Sequence, residues 1–248
     1  MHTYTAAALS EHHKKVMQSP PTEAQLKLRH AFVADYMLAD INSATDPELW
    51  SIIHGWMKDL DLYFFAGALL SRDGEEPFVK LTLLDSTPFS QDYIGSSCLA
   101  SPVKEIKIWR RMHKVLESKP QLLHTAAHEL IHSYLNTFCN LCVESFFAVK
   151  CERRDGHGPL FHEIMDDMEE SIRSWDAALA DVRSDPRRDA HIFEGSYLQF
   201  VGRFPPLRWA WNRRIGPERR GLASWPLSLE QRETIRQRYP EYVDLPRE

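Results

Sequence analysis

The sequence predicts an α+β fold in which a small, mostly antiparallel sheet packs on a long central helix and flanking helices. Apolar residues recur at helical spacing before and after a middle segment. Within that segment they alternate with polar residues, as in half-buried strands. The order helix, strands, helix, helix therefore indicates one mixed domain over residues 45–177. Residues 1–44 are predicted to form an N-terminal arm and helix, and residues 178–248 a C-terminal extension.

The first elements are delimited by prolines and capping residues. Pro20-Pro21 separates a frayed N-terminal arm from a helix predicted over Glu23–Leu38, where apolar residues recur at helical spacing. The next helix is predicted to begin with Thr45 or Asp46 as its N-cap and Pro47 at the first helical position. Its apolar stripe predicts packing against the core.

The middle of the chain supplies the sheet and the central helix. Alternating patterns predict strands over residues 78–84, 93–100 and 103–109. Ser118-Lys119-Pro120 then opens a long helix with a core-facing apolar stripe that continues to Phe138. A last helix is predicted over Pro159–Trp175.

Composition excludes several classes of protein. The 248 residues are 43% hydrophobic, which is enough for a core, and no window approaches the roughly 18 apolar residues of a membrane span. Four cysteines are too few for a disulfide scaffold, and the N-terminus lacks a signal-peptide core. We therefore expect an intracellular protein without membrane contact. Its formal charge of −5 leaves nucleic-acid binding to a local patch.

The motif His128-Glu129-Leu130-Ile131-His132 lies within the predicted central helix. Residues four apart lie on one helix face, with Cβ atoms roughly 5–6 Å apart, so both imidazoles can reach one Zn²⁺. Glu129 would then stand beside the metal as a carboxylate that accepts a proton from water. This composition would produce the pattern by chance only about 0.04 times per chain, which favours a metal site over a coincidental histidine pair.

A catalytic zinc site takes three protein ligands and keeps a fourth position open. The metzincin motif is excluded, because Leu135 and Phe138 stand where it requires glycine and histidine. By residue type, the third ligand could be a downstream glutamate, namely Glu144, Glu152, Glu163 or Glu169. The stronger candidate is His157, which lies between two glycines just before Pro159, at the entry of the last helix.

Residues 128–134 (HELIHSY), followed by residues 155–161 (DGHGPLF) at the opening of a helix, resemble the SprT-like domain, the zinc metallopeptidase module of Spartan-type proteases. The order of the preceding elements is similar too, with Gly95 and Cys98 in one of the strands. Over about residues 45–175, the resemblance implies a zincin-like fold, zinc held by His128, His132 and His157, and Glu129 as the general base.

The same resemblance carries expectations about substrate and location. The best-known members of the family cleave proteins trapped covalently on DNA, are nuclear and use nearby DNA-binding elements. It therefore implies protein substrates, a role in DNA repair and a nuclear location. The chain departs from the family in its long spacer between His132 and His157, and it lacks the cysteines for a C-terminal zinc ribbon.

Two further groups of residues leave alternatives open. Cys139, Cys142 and Cys151 could provide three ligands of a second zinc site, completed by His162 or Glu144, or Cys139 and Cys142 could be small buried residues at a helix end. A basic aromatic patch could contact single-stranded DNA through phosphates and stacked bases, or form a solvated extension that packs on the domain. The patch comprises Arg208, Trp209, Trp211, Arg213 and Arg214.

Three functions are therefore open from the sequence. The favoured one is a zinc-dependent endopeptidase that acts on DNA-associated or DNA-crosslinked proteins. The alternatives are a catalytically silent, zinc-stabilised module that binds DNA or protein, and a hydrolase of small amides.

Overall fold

The computed structural model describes residues 3–70, 77–87, 95–98, 104–112, 115–140 and 157–182. This part of the chain contains five α-helices and a four-stranded sheet, so the α+β prediction is confirmed. The helices are α1 (Ala6–Gln18), α2 (Glu23–Leu38), α3 (Asp46–Phe65), α4 (Lys119–Phe138) and α5 (Pro159–Trp175). The strands are β1 (Val79–Ser86), β2 (Gly95–Cys98), β3 (Lys104–Met112) and β4 (Val115–Leu116).

The contacts divide the chain into two compact units. The first comprises Met1–Tyr4, Ala8–Cys139 and Ile164–Ser184, and the second Thr5–Ala7, Asn140–Glu163 and Asp185–Glu248. The sheet and helices α2, α3 and α4 lie in the first unit. The domain boundaries at residues 45 and 177 stay predictions. None of the described helices has the length and apolar character needed to cross a membrane.

Strand β3 is the centre of the sheet, which has the order β1-β3-β2 with β4 also paired to β3. The pairing of β2 with β3 is antiparallel, as expected for a mostly antiparallel sheet, and so is that of β4, a strand that was not predicted. β1, which makes the longest pairing, runs parallel to β3. β2 and β1 lie on opposite edges of β3, so two strands that follow each other in sequence are not neighbours in the sheet. The alternation of apolar and polar residues along a strand indicates which face is buried, but not which strands lie beside it in the sheet.

Helix α3 begins where its capping residues predicted. Thr45 is the N-cap, and its backbone N–H donates to the Glu48 carboxylate at 2.8 Å, which completes a capping box. Pro47 is therefore the second helical residue and not the first. The helix buries the predicted apolar stripe, including Leu49, Ile53, Trp56, Met57 and Leu60.

Helix α4 is the central helix of the first unit. It begins after Ser118, whose hydroxyl accepts a hydrogen bond from the Gln121 N–H at 3.3 Å. It packs against α3 and against strands β2 and β3, where Ile106 and Ile108 are fully buried. Most of its residues are buried, as expected for a helix enclosed by other elements.

The N-terminal segment is not the frayed arm that the sequence predicted, since residues 6–18 form helix α1. Leu9 and His13 are buried, and the His13 ring nitrogen Nε2 lies 3.0 Å from the Asp167 carboxylate. Before the helix, the Tyr4 N–H donates to the Phe138 carbonyl at 2.7 Å. The apolar signal was too sparse to predict this helix, because a polar histidine holds one of its buried positions.

Trp175 anchors the end of α5 to α2 and α3. Its ring packs edge-on against Phe32 at 5.3 Å between centroids and stacks on Phe64 at 5.9 Å. The Arg29 guanidinium donates to the Ser174 and Trp175 carbonyls at 3.2 and 3.1 Å. These contacts combine aromatic burial with hydrogen bonds that satisfy the last carbonyls of the helix.

Replacing Trp175 with alanine should lower the free energy of unfolding by about 3–5 kcal/mol, because it removes a large buried ring shared by three helices. Urea denaturation followed by circular dichroism measures this loss. Leu38→Ala is the control: Leu38 is 83% exposed, so its replacement should change stability by less than about 0.5 kcal/mol. Equal losses in the two variants would contradict the assigned role of Trp175.

Candidate metal centre

His128 and His132 face each other one turn apart on α4. Their Nε2 atoms are 3.2 Å apart, and their ring centroids are 4.9 Å apart. Two nitrogens bound to one tetrahedral zinc at ~2.0–2.1 Å would be separated by about 3.3–3.4 Å. The two imidazoles are therefore spaced as ligands of a shared ion.

His157 provides a third imidazole to the same cluster. Each of the three histidines offers one ring nitrogen, and these nitrogens all lie within 4.8 Å of one another. His157 lies two residues before the start of α5 and is buried, with its ring 4.6 Å from that of Phe161 in an edge-on arrangement. The three histidines predicted as ligands thus lie close enough to bind one metal ion.

The donor set suits a transition metal. Imidazole nitrogen is a ligand for zinc, copper, iron and nickel, whereas calcium and magnesium take oxygen ligands. Three protein ligands leave at least one coordination position for water or substrate. His128 is partly exposed. The residues present therefore fit a transition-metal centre.

Glu129 lies next to the histidine pair on α4. At about 100° per residue, its side chain leaves the helix roughly 60° from that of His132, on the neighbouring side of the same face. The residue is only 4% exposed and lies against strand β2, beside Gly95. The helix thus presents two imidazoles and one buried carboxylate within about one turn.

The described glutamates that were alternative third ligands lie outside this cluster. Glu169 on α5 instead faces His124 on α4, with Oε1 and Nδ1 3.1 Å apart and both residues buried. Glu163 is partly exposed on α5. Glu144 and Glu152 lie outside the described residues. No signal in the sequence indicated this contact between His124 and a residue on another helix.

Tyr134, two residues after His132, is a core residue. Its ring stacks on Phe65 with the centroids 4.4 Å apart, and burial raises the pKa of its phenol to about 12. The phenol therefore stays protonated at neutral pH.

The other predicted sites are described only in part. Cys139 is buried at the end of α4, where its N–H donates to the Leu135 carbonyl. His162 is also buried and lies outside the three-histidine cluster, with its ring 6.1 Å from that of His157. Cys142 and Cys151 are outside the described residues, as are Arg208, Trp209, Trp211, Arg213 and Arg214. The second zinc site and the basic aromatic patch stay predictions.

Comparisons with protein-family models, with curated proteins and with solved structures find no match to this chain.

Replacing His157 with alanine should weaken zinc binding by more than about 100-fold, because losing a ligand costs more than the 10–100-fold typical of an outer partner. Competition with a chromophoric zinc chelator, together with elemental analysis of the purified protein, measures the affinity and the stoichiometry. His30→Ala, an exposed histidine on α2, should bind one zinc per chain as the wild type does. His162→Ala should also retain the metal, and unchanged affinity in His157→Ala would exclude His157 as a ligand.

Proposed function

We propose that the protein is a zinc-dependent endopeptidase of the SprT-like type, with a zincin-like fold. The observation that carries this proposal is the cluster formed by His128, His132 and His157, with Glu129 on the same helix. Three imidazoles, an open coordination position and a neighbouring carboxylate are the components of a hydrolytic zinc site. The resemblance of the two motifs to the SprT-like domain supports the same function.

When bound, zinc supplies Lewis acidity, which polarises a substrate carbonyl and acidifies water. In the proposed reaction, the Glu129 carboxylate accepts the proton of the attacking water. It then delivers this proton to the amide nitrogen as the peptide C–N bond breaks. The buried setting of Glu129 restricts its side chain, so the carboxylate stays aligned between these two transfers.

The alternative of a purely structural zinc agrees less well with the site. Structural zinc sites are usually closed by four protein ligands. Among the described residues the cluster contains three, and His128 is partly exposed. Both features favour a site that admits water and substrate, and they support catalysis over a silent binding module.

The substrate proposal is proteins associated with or crosslinked to DNA. It comes from the family resemblance and from the basic aromatic patch of Arg208, Trp209, Trp211, Arg213 and Arg214. Arginines contact phosphates and tryptophans stack on unpaired bases, which is the usual composition of a surface that binds single strands. A nuclear location follows from the same proposal.

Glu129→Gln should reduce peptide-bond cleavage by about 10²–10⁴-fold, because glutamine keeps the shape of the side chain but cannot accept the proton. Cleavage of an unfolded protein substrate by zinc-loaded wild-type and variant chains, followed by gel electrophoresis and mass spectrometry, measures the rates. Zinc content and unfolding midpoint should match the wild type. A variant that cleaves at the wild-type rate would exclude Glu129 as the base. A loaded wild type that cleaves neither proteins nor small amides would favour the silent module.

Single-stranded DNA should accelerate cleavage of a DNA-bound protein substrate or of the chain itself. The double variant Trp209→Ala/Trp211→Ala should lose most of this acceleration while retaining the DNA-independent rate, since each stacked base contributes about 1–3 kcal/mol. Fluorescence anisotropy with a labelled oligonucleotide measures the binding directly. Trp50→Ala, a partly exposed tryptophan on α3, is the control. Identical DNA affinity in the two variants would exclude the patch as the DNA contact.

A further inference from the structure

Strand β2 approaches helix α4 so closely that its first residue has no room for a side chain. A Cβ atom on Gly95 would lie 2.5 Å from Glu129 Oε1 and 2.9 Å from Glu129 Cγ. It would also lie 2.6 Å from the methyl carbon Cγ2 of Thr125. Non-bonded carbon atoms pack at about 3.5–4.0 Å, so any side chain at Gly95 would displace these α4 groups or the strand.

The register of the sheet explains why Gly95 faces the helix. Gly95 pairs with Ile108 of β3, and residues directly opposite in an antiparallel pair point to the same face. Ile108 is fully buried, and both β2 and β3 contact α4. A side chain at Gly95 would therefore project from the face of the sheet that packs against α4.

The two α4 residues that meet Gly95 form one continuous surface. Thr125 and Glu129 are one helical turn apart. The Thr125 hydroxyl donates to the Gln121 carbonyl at 2.9 Å, which fixes its rotamer and the position of its methyl group. A side chain at Gly95 would therefore press both against this methyl group and against the Glu129 carboxylate.

We propose that Gly95 is a positioning residue for the Glu129 carboxylate. Its backbone borders the space in which the carboxylate lies, and its lack of Cβ makes that space available. The functional part of this inference rests on the proposed role of Glu129 as a base, whereas the steric part does not. The three histidine ligands do not take part in the contact. Metal binding and turnover should therefore respond differently to a change at Gly95.

Gly95→Ala should bind Zn²⁺ with wild-type affinity, but its kcat for a protein substrate should fall about 10–100-fold with little change in KM. A displacement of about 1 Å at a catalytic group can cost 10²-fold in rate. Gly55→Ala is the matched control, because a Cβ on that glycine of α3 would meet no atom within 4 Å. It should retain the wild-type kcat and KM. Wild-type kcat in Gly95→Ala would overturn the proposal.

A second measurement tests the contact without any activity assay. Urea unfolding of the full-length zinc-loaded chain is compared for Gly95→Ala, Glu129→Ala and the double variant. Gly95→Ala should raise the unfolding equilibrium constant about ten-fold or more in the wild-type background, and several-fold less when Glu129 is already alanine. If Gly95→Ala does not fold alone, recovery of folding in the double variant is the supporting result.

Equal effects of Gly95→Ala in both backgrounds would show that Gly95 does not restrain Glu129, and would overturn the proposal. The two experiments also separate this inference from the proposed function. If the loaded wild type cleaves nothing while the thermodynamic coupling is present, the peptidase assignment fails and the contact between Gly95 and Glu129 stands.

Discussion

The enclosure of α4 between α3 and the sheet is the constraint on which the rest of the structure depends. A buried helix excludes unbonded polar groups, because an amide, hydroxyl or charge removed from water without a partner is costly. Within α4, the hydroxyls of Thr125 and Thr137 donate hydrogen bonds to the carbonyls of Gln121 and Ser133, each one turn earlier. Both hydroxyls are thereby paired inside the helix, so these two residues are compatible with burial.

Two buried glutamates, Glu129 on α4 and Glu169 on α5, show how one residue type takes different surroundings. The carboxylate of Glu169 lies 3.1 Å from the imidazole of His124, so it links α5 to α4. Glu129 instead lies against the backbone of β2, at a strand residue that has no side chain. The packing of Glu129 against a strand residue without a side chain limits where its carboxylate can lie.

Much of the fold could be predicted because several segments carry strong local signals. The apolar spacing, prolines and capping residues located α2, α3, α4 and α5, and alternation located β1, β2 and β3 but not the two-residue strand β4. The motif on α4 predicted two members of the metal cluster, and the glycines around His157 predicted the third. Helix α1 was missed because His13 occupies one of its few buried positions. The parallel pairing of β1 was missed because it depends on which edge of β3 each strand joins.

The sequence could not predict the contact between helix α4 and strand β2 that surrounds the Glu129 carboxylate. The spacing of the motif over residues 128–132 determines the helix face from which His128, Glu129 and His132 project, because an α-helix has about 3.6 residues per turn. The spacing does not determine the position of the Glu129 carboxylate, because a glutamate side chain has three rotatable bonds. Strand β2 limits that position. Its register against β3 places Gly95, which has no side chain, against the helix. The helix thus carries two of the three clustered imidazoles and the carboxylate, and the close approach of the sheet limits the space that this carboxylate can occupy.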